Sequence, residues 1–275
     1  MLSPTRRYPP GTTSSREPGL RRGRADVDAQ AESAKSERQR PYRLLVLATN
    51  PIECASTRFR IEQWRSFLAE AGFELEIDAY YSDAAHRIMY RPGRQVAKVA
   101  FFFSGAVRRF RTLRRASQSA DIILVHREAF PFGWRLLSGM LREFPGPIVY
   151  DYDDAMFLPQ RLGRGLFEWW EGMGLETPAE IMRLSQTVLA GNPFLVEYAR
   201  RHSTNVVLLP TCVDTTLFRP AAVREDEPTK CTVGWIGSHT TAKYLEGLMP
   251  VLEQVAVRHP YELKVVGSRT RLSSI

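Results

Sequence analysis

The chain has 275 residues, a formal net charge of +8 and 44% hydrophobic residues, so it can bury a sizeable core and is not disordered throughout. No apolar run approaches the roughly 20 residues of a membrane span, and the first residues lack the apolar segment of a secretory signal. Three widely spaced cysteines predict neither a disulfide framework nor a zinc knuckle, which fits a reducing compartment.

The positive charge is concentrated in two segments. Residues 1–40 carry nine Arg and Lys against five acidic residues, and residues 91–115 carry eight with no acidic residue. The rest of the chain therefore has a net charge of −4. Because the first segment is also poor in large apolar residues, we expect residues 1–41 to form a disordered basic tail.

From Tyr42 onward, short apolar runs alternate with stretches of helical periodicity. Residues 44–48 predict a strand buried on both faces, and residues 56–71 predict a helix that ends at Gly72. Further strands are predicted at 73–77, 121–126, 147–152, 187–190 and 206–209, with helices at 132–144 and 193–202. This alternation is typical of an α/β domain with a Rossmann-like, mainly parallel sheet, here over residues 42–210.

A change in composition follows at residues 211–230, which are rich in proline and acidic residues and lack periodicity, and which we interpret as a linker. Residues 231–236, 240–259 and 262–266 then predict one strand–helix–strand unit. Because the 45 residues 231–275 fall short of the roughly 55 that an independent core needs, we expect them to be the first part of a larger second Rossmann-like domain, truncated here. The alternative is that they pack onto the first domain or a partner.

Several motifs carry a resemblance through their order and spacing. The linker reads P-x-x-V-D-x-x-x-F-x-P from Pro210 to Pro220, and residues 235–238 (WIGS) precede residues 241–245 (TAKYL). Residues 149–154 (VYDYDD) and 190–194 (AGNPF) lie upstream. Together these motifs resemble the GT-B-fold glycosyltransferases of family 4 type, the glycosyl transferases group 1, over about residues 42–270.

The resemblance implies an enzyme that transfers a hexosyl group from a nucleotide-diphosphate sugar to an acceptor such as a cell-envelope glycan or a lipid-linked sugar. It implies that no metal or other cofactor is needed. It also implies a cytoplasmic protein, with attachment to the inner face of the membrane as the alternative. The first domain would hold the acceptor, and the second would hold the nucleotide-sugar.

His126 is the candidate catalytic residue. It closes a predicted strand, and ligands of open α/β sheets bind at the carboxyl ends of strands. An imidazole there can bind a sugar hydroxyl or accept its proton near neutral pH, and the resemblance places such a histidine near the transferred sugar. The alternative is an incidental strand-end histidine.

The candidate donor-binding residues are Gly237, Ser238 and Lys243. Lys243 lies near the start of a predicted helix, where its charge adds to the helix dipole and suits a diphosphate. Gly237 allows the backbone to approach a ligand closely. Ser238 stands where the resembled family usually has an arginine, and the alternative for Lys243 is a solvated helix lysine.

The candidate acceptor-binding residues are Arg58, Arg60, Asp153 and Asp154. The arginines follow the first strand and suit a phosphate or sugar, the alternative being a solvated helix start. The aspartates follow a buried strand, where we favour recognition of hydroxyls or helix capping over metal binding.

Residues 94–116 combine seven Arg and Lys with phenylalanines and valines, and two interpretations stay open. An exposed basic amphipathic helix would contact an anionic membrane. Otherwise the phenylalanines belong to the core and the arginines to a solvated face. No motif predicts nucleic-acid binding.

The sequence fits two alternatives to sugar transfer unequally well. A non-catalytic or inactive acceptor-binding protein is the main alternative, because the chain ends before the region where the resembled enzymes carry two further donor-binding glutamates. A dinucleotide-dependent oxidoreductase is disfavoured, since residues 49–51 (TNP) follow the first strand in place of G-x-G-x-x-G.

Overall fold

The computed structural model describes residues 40–89, 93–131, 135–158, 176–219, 231–237 and 241–267. The chain divides into two compact units, Met1–Thr215 and Thr216–Ile275. Nearly all of the predicted tail lies outside the described residues, as do residues 220–230 of the predicted linker and Ser238. The described part of the linker, residues 211–219, contains no helix or strand.

The first unit alternates strands and helices. Its strands are β1 (Tyr42–Ala48), β2 (Phe73–Ala79), β3 (Ile122–His126), β4 (Ile148–Tyr152), β5 (Thr187–Ala190) and β6 (Val206–Leu208). Its helices are α1 (Ala55–Arg60), α2 (Arg65–Glu70), α3 (Asp83–Met89), α4 (Gln95–Ser119), α5 (Arg135–Arg142), α6 (Thr177–Leu184) and α7 (Pro193–Ala199).

The six strands form one sheet in the order β2-β1-β3-β4-β5-β6, and every neighbouring pair is parallel. The apolar runs of the sequence are its strands, so the prediction of an α/β, Rossmann-like fold is confirmed. The register sets His126 beside Ala48 on one side and beside Asp151 on the other. The carboxyl ends of β1, β3 and β4 therefore meet at one edge of the sheet.

Both faces of the sheet carry apolar side chains. The larger cluster includes Leu47, Val125 and Tyr150 from the strands, with Leu113 of α4 and Leu195 of α7 packed among them. The smaller cluster joins side chains of β1 and β2 to the segment after β1; its buried members are Leu44, Val46, Ala48, Ile61 and Leu75. Removal of this apolar surface from water is the main stabilising contribution to the unit.

The helix predicted over residues 56–71 is broken into α1, a 3₁₀ turn at Glu62–Trp64, and α2. The break falls at Ile61, whose φ of −124° and ψ of −64° are not helical. Arg60 and Ile61 are both buried on the sheet at this point. Tertiary contacts here outweigh the helical pattern of the sequence, which is why periodicity alone missed the break.

The phenylalanines of the long helix α4 are divided between the core and the surface, and contact of residues 94–116 with a membrane stays a prediction. Phe101 and Phe102 pack against the core, whereas Phe103 and Phe110 are exposed by 55% and 38%. The expectation of a fully solvated arginine face is wrong for Arg109, which is completely buried. Its charge is paired with that of Asp78, whose Oδ2 lies 2.8 Å from Arg109 Nε.

The second unit contains β7 (Cys231–Ile236), α8 (Ala242–Arg258) and β8 (Tyr261–Val266). The strands pair in parallel, and Ala242 and Leu245 of the helix are buried. This is the strand–helix–strand unit that the sequence predicts. None of the helices within the described ranges of either unit has the length and apolar composition needed to cross a membrane.

Candidate functional site

Side chains from three separate segments come together where β1, β3 and β4 end. Ser56 and Arg60 lie on α1, which follows β1, while His126 closes β3 and Asp151 lies near the end of β4. Asp153 follows β4 directly. The parallel register brings these residues, up to 97 positions apart in the chain, within hydrogen-bonding distance.

His126 is held at both ring nitrogens. Its Nδ1 lies 2.8 Å from Asp151 Oδ2 and its Nε2 lies 2.9 Å from Ser56 Oγ, and the residue is only 1% exposed. A carboxylate can only accept, so Nδ1 carries the proton that bonds to Asp151. In the neutral imidazole the lone pair of Nε2 then points at the Ser56 hydroxyl, and the tautomer is assigned from this network.

Arg60 fixes the Asp151 carboxylate. Its Nε donates to Asp151 Oδ2 at 3.2 Å, its Nη2 donates to Oδ1, and both side chains are 2% exposed. The remaining nitrogen, Nη1, donates to the backbone carbonyl of Leu209 at 2.5 Å. A buried bidentate pair of this kind holds the carboxylate in one orientation.

The two predicted acceptor-binding arginines therefore differ. Arg58 is exposed and its Nη1 lies 3.4 Å and 3.3 Å from the backbone oxygens of Ile52 and Glu53. Arg58 therefore fits the alternative that the sequence left open for both arginines, that of basic residues at a solvated helix start. Arg60 contradicts that alternative because its guanidinium is buried and committed to Asp151.

Asp153 and Asp154 form the outer, polar part of the site together with Arg127. Ser56 Oγ lies 3.3 Å and 3.4 Å from the two carboxylate oxygens of Asp153. Arg127 Nη2 bonds Asp154, and its Nε is 3.8 Å from Asp153. In the part of the chain that the structure describes, no cluster of three or more His, Cys, Asp or Glu could hold a metal ion.

Arg127 and Glu128 directly follow β3 at the same edge of the sheet, and no motif in the sequence points to them. Arg127 adopts the left-handed conformation, with φ of 63°, and its N–H donates to the carbonyl of Asp151 at 2.8 Å. Arginine gives no sequence signal for this conformation, which glycine and asparagine favour. Burial raises the pKa of Glu128 to about 7, and the charge of Arg127 offsets only part of this effect.

An apolar cavity of about 310 Å³ lies beside the Arg60–Asp151 pair. Apart from that pair, it is lined by apolar side chains of α2, of the sheet and of the residues next to them: Leu44, Val46, Ile61, Trp64, Phe67, Leu68, Leu75, Leu124, Leu189 and Leu209. Its volume is at the lower end of the range for small-molecule sites.

In the second unit, Gly237 follows β7 and Lys243 is the second residue of α8. A Cβ added at Gly237 would lie 2.6 Å from the Trp235 ring, so the backbone and the ring are too close for a side chain here. Lys243 is exposed, with Nζ 5.2 Å from the centroid of the Tyr244 ring. The roles of Gly237, Ser238 and Lys243 in donor binding stay predictions.

No protein-family profile and no curated protein match this chain. Among solved structures, the chain is similar to an alpha-glucosyltransferase in complex with UDP and a 13-mer DNA containing a HMU base. The identity is 12%, the match covers 83% of this chain and 68% of the other, and the TM-score is 0.44. A TM-score below 0.5 does not establish a common fold.

Proposed function

We propose that the protein is a glycosyltransferase of the GT-B type, which moves a hexosyl group from a nucleotide-sugar to a hydroxyl of an acceptor bound by the first unit. The convergence of Ser56, His126 and Asp153 at the carboxyl edge of the sheet carries this proposal. Ligands of parallel sheets bind at this edge, and a neutral imidazole held there can take up a hydroxyl proton. His126 is the catalytic residue of the proposal, and Arg60 and Asp151 position it.

The outer part of the site supports acceptor recognition. Asp153, Asp154 and the Arg127 guanidinium present charged acceptors and donors within a few ångströms of each other. Charged groups of both signs bind the neighbouring hydroxyls of a sugar through strong hydrogen bonds. The exposed guanidinium of Arg58 can meet a phosphate on the same acceptor.

In the proposed reaction, the second unit binds the nucleotide-sugar donor. Lys243 at the start of the 17-residue helix α8 is exposed and adds its charge to the helix dipole. Catalysis would come mainly from stabilising the departing diphosphate, as positive groups fixed in advance do. Gly237 and Ser238 complete the donor-binding set by their place in the motif.

The exposed face of α4 supports a lipid-linked acceptor at an anionic membrane. Its first half exposes Val96, Val99 and Phe103, and its second half exposes the three basic residues Arg111, Arg114 and Arg115. Basic residues near an anionic surface each contribute about 1 kcal/mol to binding.

A nucleotide-binding and turnover experiment tests the proposed function. UDP and GDP are added to the full chain in a thermal unfolding assay, and UDP-glucose and GDP-mannose are tested for consumption. One of the nucleotides is expected to raise Tm in the wild type and in Lys264→Met, an exposed lysine of β8, but much less in Lys243→Met.

The same assay tests the role of the first unit. His126→Asn should keep nucleotide binding and lower turnover by about 100-fold or more, because it removes the proton acceptor. Nucleotide binding without turnover in the wild type would favour the non-catalytic alternative. If the wild type neither binds nor consumes any nucleotide-sugar, the glycosyltransferase proposal is overturned.

Co-sedimentation with vesicles tests the membrane proposal. Vesicles with 30% phosphatidylglycerol should bind the protein, and pure phosphatidylcholine should not. The variant Arg111→Gln/Arg114→Gln/Arg115→Gln should lose binding. A matched change of two exposed arginines after α7, Arg200→Gln/Arg201→Gln, should not. Equal binding by both variants would contradict the role of α4.

A further inference from the structure

The contacts of Ser56 point to a second kind of chemistry. Its Oγ lies 2.9 Å from His126 Nε2, and His126 Nδ1 lies 2.8 Å from Asp151 Oδ2. This is the order of atoms that activates a serine hydroxyl for attack on a carbonyl. We propose that Ser56 is a nucleophile and that the first unit hydrolyses O-acyl esters of hydroxyl-rich alcohols, an activity that does not depend on the proposed sugar transfer.

The distances decide where the Ser56 proton points. The hydroxyl has one proton and two candidate acceptors, His126 Nε2 at 2.9 Å and the Asp153 carboxylate at 3.3 Å and 3.4 Å. The shorter contact has the length of a sound hydrogen bond and the longer ones lie near the limit. With His126 neutral, the proton therefore lies on the line to the imidazole, where a general base must receive it.

Other hydroxyls of the first unit are bound differently. Thr49, Thr57 and Ser185 donate to the backbone carbonyls of Glu128, Asn50 and Ile181 at 2.7, 2.9 and 2.7 Å. A carbonyl oxygen cannot take up a proton near neutral pH, so these contacts hold the hydroxyl in place without activating it. An imidazole nitrogen can take up that proton, and this sets Ser56 apart from the three.

The base is also fixed in advance of the reaction. Asp151 sets the tautomer of His126, and Arg60 in turn holds Asp151 through two nitrogens. His126 and Asp151 are each 1% exposed, while Ser56 is only partly buried. The nucleophile can therefore meet a substrate, whereas the groups that activate it are shielded from water.

The reaction balances with water as the second substrate. Ser56 Oγ bonds to the acyl carbon as its proton passes to His126 Nε2, and the C–O bond to the alcohol breaks as that proton passes to the leaving oxygen. Water then attacks the acyl-serine, gives its proton to Nε2, and the carboxylic acid leaves as Ser56 regains a proton. The outer part of the site, formed by Arg127, Asp153 and Asp154, is charged, which fits an alcohol rich in hydroxyls.

A fluorophosphonate probe tests the nucleophile on the full chain. The probe is expected to modify the wild type, and tryptic mass spectrometry should find the adduct on Ser56. Hydrolysis of 4-nitrophenyl acetate should accompany it. An unmodified wild type without acetate hydrolysis would overturn the proposal, and so would an adduct confined to other residues.

Variants show whether Ser56 reacts because His126 activates it or only because it is accessible to the probe. Ser56→Ala should abolish the adduct, and His126→Gln, which keeps a hydrogen-bonding side chain but no proton acceptor, should slow modification by about 100-fold or more. Ser185→Ala is the matched control and should react like the wild type. If His126→Gln, shown to be folded by its thermal transition, reacts at the wild-type rate, the imidazole does not activate Ser56 and the proposal fails.

The outcome is independent of the sugar-transfer test. Sugar transfer without modification of Ser56 would overturn the esterase proposal alone, and modification without nucleotide-sugar binding would overturn the glycosyltransferase proposal alone.

Discussion

Two buried arginine–aspartate pairs lie in the described part of the first unit, and their surroundings differ. Arg109 of α4 donates from Nε to Asp78 Oδ2 at 2.8 Å and from its other nitrogens to the carbonyls of Ala48, Asp78 and Ala129, at 2.7, 2.7 and 2.5 Å. Arg60 holds Asp151, but the contacts of Asp151 continue to His126 and then to Ser56. The contacts of the first pair end in backbone carbonyls and in Arg108, whose Nε lies 3.3 Å from Asp78 Oδ1, whereas those of the second pair lead to an imidazole and a hydroxyl.

The comparison shows that a buried ion pair does not by itself identify a functional site. Arg109 ties the ends of β1 and β2 to the segment after β3, and burial lowers its pKa while Asp78 acts in the opposite direction. The other hydrogen bonds of Arg109 go to backbone carbonyls, which neither titrate nor react. Asp151 instead orients an imidazole that faces a hydroxyl, so the second pair can serve chemistry as well as stability.

Replacing Arg109 is expected to have the largest effect. Arg109→Met removes the buried donor to Asp78 and to three carbonyls, and only the half-exposed Arg108 stays beside Asp78, so the free energy of unfolding should fall by about 3–5 kcal/mol in urea. Adding Asp78→Leu to this variant should restore part of the loss, because the carboxylate that has lost its buried partner is then removed. A loss below about 1 kcal/mol would show that the pair is not a structural requirement.

Replacing Arg60 should lower the free energy of unfolding less than replacing Arg109 does, but it should slow the reaction of Ser56. In Arg60→Met the Asp151 carboxylate keeps its hydrogen bond from His126, so we expect a loss of about 2–3 kcal/mol in urea. The folded variant should react with the fluorophosphonate probe at least about 10-fold more slowly, since the base is no longer held in place. Equal reactivity of Arg60→Met and wild type would remove the distinction drawn between the two pairs.

The sequence predicted the sheet well and the site in part. Apolar runs such as residues 44–48 and 121–126 indicated strands because a parallel sheet buries both faces, and the order of strands and helices indicated the edge where His126 lies. The contact between Arg60 and Asp151 joins positions 91 residues apart, which no local pattern encodes. Arg109 lies in a run of basic residues, so nothing in the sequence separates it from its solvated neighbours.

Glu128 provides a test with the opposite sign, because burial outweighs the charge of Arg127 in setting the pKa of its carboxylate. Burial raises its pKa from 4.5 to about 7, so the folded protein binds more protons than the unfolded chain between these values. Stability therefore falls as pH rises through this window, and the penalty is complete above about pH 7.

Glu128→Gln should remove this penalty. We expect the variant to be more stable than the wild type by about 1–3 kcal/mol at pH 8 and nearly equal to it at pH 4.5, as measured by urea unfolding at both pH values. An equal effect at the two pH values would show that the substitution acts through packing and not through the charge.

The smallest effect is expected at the exposed end of the site. Arg127 and Asp154 form an ion pair in which the Asp154 side chain is 58% exposed, and such pairs contribute between 0 and about 1 kcal/mol. Asp154→Asn should therefore leave urea unfolding within about 0.5 kcal/mol of the wild type. If the residue binds the hydroxyls of a ligand, the same variant should still raise KM for the acceptor or ester without lowering kcat, because it lies outside the Ser56–His126–Asp151 chain. A large loss of stability with an unchanged KM would instead assign Asp154 to the structural role that Asp78 fills.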